Sequence, residues 1–146
     1  MKLIRTLFVL LFASTLLLGG CLSKSDPISQ QHILELRESH LRFIDQFTRT
    51  SEKTWNVEVL DSQINGNNQK FEAALQYETQ KSKPDALRKK AFLLLQEQFQ
   101  NDAAFLKNQA STGIYFYSQV FAKNLKDQVQ RNYDMALQGE GARVTP

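Results

Sequence analysis

The sequence predicts an all-α protein, an up-and-down bundle of about four helices. Three observations predict it. Apolar residues recur at helical spacing in four successive stretches. Short polar or turn-forming segments separate those stretches. No strand–helix–strand alternation and no repeat of fixed period occurs, so neither a parallel sheet nor a solenoid is supported.

The first stretch opens on Asp26-Pro27, an N-cap followed by proline at the first helical position. Ile33, Leu36, Leu41, Phe43, Ile44 and Phe47 follow at helical spacing. Arg37, Glu38, Arg42, Asp45 and Arg49 share the other side. A helix is predicted over about 28–49. Residues 50–54 read as a break, because Ser and Thr compete for caps. Two readings stand for 55–64. Trp55, Val57 and Val59 alternate as in a strand, whereas Val57, Leu60, Ile64, Phe71, Ala74 and Leu75 follow helical spacing. Asn65-Gly66-Asn67-Asn68 is a turn signal. Nothing strand-like follows it, so helix on both sides of a break or kink at Gly66 is favoured.

Ser82-Lys83-Pro84-Asp85 resembles a capping box with proline in the first turn. Leu87, Ala91, Phe92, Leu94, Leu95, Phe99, Ala103, Phe105 and Leu106 then make an apolar face wide enough for more than one neighbour. Ser111-Thr112-Gly113 reads as the end of this helix and the start of the next. The last helix is expected to carry Ile114, Tyr117, Phe121, Leu125, Val129, Tyr133 and Leu137. Gly139, Gly141 and Pro146 mark a frayed tail. The bundle is thus expected over 27–138, with a flexible tail over 139–146.

Ahead of the bundle, Lys2 and Arg5 precede an apolar run, residues 7–18, that ends in Leu18-Gly19-Gly20-Cys21. A basic start, a short apolar middle and small residues before a cleavage point make a secretory signal. The run is short for a span, which needs about 20 apolar residues. Its end resembles the lipobox of bacterial lipoprotein signals. That resemblance covers residues 1–21 only. It implies that Leu18, Gly19 and Gly20 are recognition residues, that residues 1–20 are removed, and that Cys21 carries the lipid, with palmitate among its acyl groups. Residues 21–26 then form the lipidated tether. Leu22 and Ser23 follow the cysteine rather than Asp, which in that family points to the outer membrane; of its two faces, the periplasmic is favoured over the cell surface. Cys21 is the only cysteine, so no disulfide forms within one chain.

Cleavage before Cys21 leaves 126 residues, enough for one domain with its own core. Their side chains carry a net charge of only +1, which argues against a nucleic-acid binder. The charge is uneven. Residues 22–80 sum to −3 and residues 81–146 to +4, so the halves attract if they pack antiparallel.

Little in the chain points to catalysis, to a metal or to any other cofactor. His32 and His40 lie eight residues apart on one helix, about 12 Å, too far to share an ion. No Glu-x-x-His pair, no nucleophile-elbow glycines and no phosphate-cradling loop occurs. Two stretches invite a binding role. Lys81, Lys83, Arg88, Lys89 and Lys90 crowd around one helix start, against its dipole, and suggest a docking patch for an anionic partner. Tyr115, Phe116 and Tyr117 cannot all face one core, so at least one is expected at a rim or interface. The expected function is therefore a membrane-anchored, non-catalytic adaptor for another envelope protein or assembly, such as a secretion, pilus or conjugation accessory factor. The alternative is an envelope enzyme or ligand-binding bundle with a pocket between helices. A solid core with an open apolar groove favours the first, and a cavity lined by converging polar groups favours the second.

Overall fold

The computed structural model describes residues 24–50 and 56–143. Within them the chain forms four helices: α1 (Pro27–Gln46), α2 (Val57–Gln80), α3 (Ala86–Ala110) and α4 (Gln119–Gly141). Each start is fixed by a side-chain cap. Asp26 accepts from the amides of Ile28 and Ser29, Asn56 from Val59, Asp85 from Arg88 and Ser118 from Phe121.

Consecutive helices run antiparallel, and α4 closes back on α1. Contacts along the seams show the order. Ser39 Oγ donates to Asn67 between α1 and α2. Lys107 pairs with Asp61 between α2 and α3. Asn132 donates to Gln98 between α3 and α4. Arg37–Asp134 and Lys126–Asp45 join α1 to α4. The fold is an up-and-down four-helix bundle.

The core is aromatic at its centre. The Phe99 ring lies 5.2 Å from Phe43 and 5.8 Å from Phe71, centroid to centroid. Ile33, Leu36, Ile44, Leu60, Phe92, Leu106 and Val129 complete it, all but sealed from solvent. Each such side chain contributes roughly 1.5–3 kcal/mol by burial.

Five features of the elements differ from the sequence reading. First, α2 passes through Gly66 without a break, and Asn65-Gly66-Asn67-Asn68 is helical. The turn signal is overridden because Asn67 lies inside the bundle. Its amide donates to the Gln63 carbonyl, and its oxygen accepts from Ser39. Residues 57–64 are helix rather than strand, while Trp55 and the rest of 51–55 lie outside the described residues. Second, Pro84 precedes α3, and Asp85, not Ser82, is the cap. Third, α4 begins at Gln119, so Ile114 and Tyr117 belong to the connector. That connector is pinned by the backbone: the Tyr117 amide donates to the Phe47 carbonyl, and the Arg49 amide donates to Tyr117. Fourth, α4 runs through Gly139 to Gly141, beyond the expected start of a tail at 139. Buried Glu140 holds that last turn in place. At the other end of α1, the helix stops at Gln46 rather than Arg49.

Candidate functional site

Three places concentrate polar chemistry or exposed apolar surface. The first lies inside the bundle. His40 is fully buried, and its Nε2 sits 3.0 Å from Asp102 Oδ2. The His40 ring meets Phe99 and Tyr133 edge-on. Tyr117 donates its hydroxyl to the Asp102 carbonyl. Burial, and to a smaller extent the Asp102 charge, pushes the phenols of Tyr117 and Tyr133 far above their ordinary range. The Tyr133 hydroxyl and His40 Nδ1 find no hydrogen-bond partner among the described residues. Among the described residues, the cavities of about 520, 440, 370 and 260 Å³ are lined by other side chains than His40. It pins α1 to α3 within the core.

The second place is the end of the bundle where α1 begins. Glu78, buried at the end of α2, accepts from Lys81 and Ser29. Arg88, 4% exposed, donates to both oxygens of Glu140 at 2.7 and 2.8 Å. It also donates to the Lys24 carbonyl, tying the incoming chain to α3. Arg143 pairs with Asp85 and Glu140. Burial works against the Arg88 charge, but the hydrogen bonds to Glu140 and the charges of Glu140 and Glu78 more than offset it and raise its pKa. Asp26 behaves in the same way. Partial burial pushes its carboxyl up, yet the hydrogen bonds from Lys81 and Ser29 and the Lys81 charge hold it well below the carboxylate range. Burial and the neighbouring Asp26 carboxylate raise the Tyr77 phenol.

The third place is a groove between α3 and α4, the pair of sequential helices that touch least. One segment, about 520 Å³, is lined by Leu87, Ala91, Met135, Ala136 and Gly139, with Arg88 and Glu140 at one end. A second, about 440 Å³, shares Ala91, Met135 and Ala136 and extends to Leu94, Gln98 and Asn132. Leu87 is 72% exposed, Leu94 55% and Met135 62%. Leu87, Ala91, Leu94 and Gln98 recur at i, i+4, i+7 and i+11, so they share one face of α3. Exposed Lys90 and Arg131 flank it, each four residues before a lining residue, Leu94 and Met135. The width read from sequence on α3 is real, but Leu87 and Leu94 meet solvent instead of a second neighbour.

Two of the five cations of the expected docking patch are ion-paired. Lys81 and Arg88 are taken up by Asp26, Glu78 and Glu140, leaving Lys83, Lys89 and Lys90 exposed. Five like charges around one helix start are tolerable because two are neutralised where they stand. Of the aromatic triplet, Tyr117 is buried, whereas Tyr115 and Phe116 are half-buried. Arg49 sits over the Phe116 ring, 5.2 Å from its centroid. The three share a connector, not a helix face. Leu18, Gly19, Gly20 and Cys21 lie outside the described residues. Among the described residues, no helix is long and apolar enough to cross a membrane, and no cluster of His, Cys, Asp or Glu has the form of a metal site. The Arg88–Glu140–Glu78 network and the groove were not read from the sequence. The one signal was the opposite charge of the two halves, which is realised as Asp26–Lys81, Asp45–Lys126, Asp61–Lys107 and Glu78–Arg88. Comparison with protein-family models, with curated proteins and with solved structures finds no match to this chain.

Proposed function

We propose that the chain is a membrane-anchored lipoprotein, held through Cys21, whose bundle is a non-catalytic adaptor for another envelope protein. The observation that carries the reading is the α3–α4 groove, apolar along its floor and open to solvent beside a filled core. A monomer gains nothing by leaving Leu87, Leu94 and Met135 in water, and grouped exposure of this kind marks a binding surface. The His40–Asp102 pair gives the enzyme alternative less support, since His40 is fully buried and packed against Phe99 and Tyr133.

The occupant fitted to this groove is an amphipathic helix of the partner, laying its apolar side between α3 and α4. Lys90 and Arg131 on the rim call for acidic residues flanking that side. The test is site-specific photocrosslinking in intact envelopes from positions 94 and 135, with position 76 on the exposed side of α2 as control. The expected result is one discrete adduct from the groove positions and none from position 76. Its crosslinked peptide should map to a helical segment with acidic flanks. Adducts to lipid, to a second copy of this chain, or equally from position 76 would overturn the proposal.

A further inference from the structure

The four carboxylates within a turn and a half of the α1-starting end are all occupied. Asp26 and Glu78 pair with Lys81, Glu140 with Arg88, and Asp85 with Arg143. Exposed Lys24, Lys83 and Lys89 at the same end make no ion pair among the described residues. Among the described residues, the end therefore presents positive charge with no exposed side-chain carboxylate beside it. The opposite end is different. There Asp45 and Asp127 are exposed and Asp61 half-buried, interleaved with Lys126, Lys123 and Lys107.

The basic end is also the end nearest the anchor. Lys24 lies three residues after Cys21, a reach of at most about 11 Å. Its carbonyl is fastened to Arg88 at the start of α3, so the tether leaves from this face. A bundle held so close meets the headgroups at high effective concentration, where a few lysines suffice for a weak contact to matter.

We infer that this end is a docking face for anionic lipid headgroups, presented by Lys24, Lys83 and Lys89, which stands the bundle upright on the membrane. The inference rests on the anchored-lipoprotein reading for its tether, and the two are separable by experiment. The full chain is purified from bacterial membranes and placed in vesicles of phosphatidylcholine, alone or with phosphatidylglycerol in equal parts. A fluorophore is attached through Ser82→Cys at the basic end or Val120→Cys at the opposite end, about 37 Å away along the 25-residue α3. Palmitate at Cys21 is measured in the same preparation. Quenching by headgroup spin label should be severalfold stronger at position 82 than at 120. It should require phosphatidylglycerol, and it should fall in about 1 M salt, where charges are screened over about 3 Å. It should fall likewise in the Lys24→Gln, Lys83→Gln, Lys89→Gln variant. Equal quenching at both ends, or quenching indifferent to phosphatidylglycerol, salt and the triple substitution, overturns the docking face. Selective quenching at position 82 without palmitate at Cys21 overturns the anchor reading alone.

Discussion

At the scale of single residues, burial and charge pairing make opposite demands, and two substitutions separate them. Asp26 caps α1 and pairs with Lys81, and its carboxyl is held below its ordinary range. A carboxylate with a depressed folded-state pKa adds stability that is present above the unfolded value, about 3.9, and lost as pH falls toward the folded one. Asp26→Asn still caps but does not titrate. The melting temperature of the variant should therefore fall less steeply than wild type between about pH 5 and pH 2. Parallel curves would mean that Asp26 carries none of the acid sensitivity. In the core, Tyr133 buries a hydroxyl with no partner among the described residues, while the Tyr117 hydroxyl donates to Asp102 at 2.7 Å. Tyr133→Phe should hold or raise stability, and Tyr117→Phe should cost about 1 kcal/mol. Denaturant unfolding of the two variants checks the contrast, which fails if their order is reversed.

At the scale of helices, local sequence marked the elements well and their ends less well. Periodicity found all four, because each buries one face, and Asp26 was legible as a cap because proline follows it directly. Three of these differences share one cause, tertiary contacts overriding local propensity. Asn67 is drawn into α2 by Ser39, Tyr117 is held out of α4 by Phe47, and Glu140 is kept helical by Arg88. Gly66 is the sharpest case. A Cβ there would meet nothing within 4 Å, and the backbone is helical. Gly66→Ala should therefore stabilise the protein by about 0.5–1 kcal/mol, measured by unfolding, whereas a kinked helix would lose stability. Arg88 ties three helices together, donating hydrogen bonds to Glu140 of α4 and pairing with the Glu78 carboxylate of α2. Arg88→Gln leaves both carboxylates with less compensation and should cost about 3 kcal/mol. Lys83→Gln and Lys89→Gln, on solvated side chains, should leave the melting temperature nearly unchanged. Equal effects would show that the five cations act as one surface after all.

At the scale of the molecule, two kinds of surface remain once the core is filled: the groove between α3 and α4, and the lysine-bearing end beside the tether. Neither was visible as such in the chain. Helical spacing alone assigned Leu87 and Leu94 to the interior, because a periodic pattern cannot tell a packed face from one awaiting a partner. The basic cluster was visible, but which of its members face solvent depends on Asp26, Glu78 and Glu140, distant in sequence. The adaptor reading turns on the groove. Leu94 and Met135 are more than half exposed, so charging them leaves the core intact. The most direct measurement is the yield of the groove-specific crosslinked complex in envelopes carrying Leu94→Asp with Met135→Asp, set beside the melting temperature of the same variant. The expected result is a melting temperature within a few degrees of wild type and loss of most of the complex. An undiminished complex at unchanged stability would contradict a partner helix in the groove. A collapse of the melting temperature would contradict the groove itself, by showing those side chains to be part of the core.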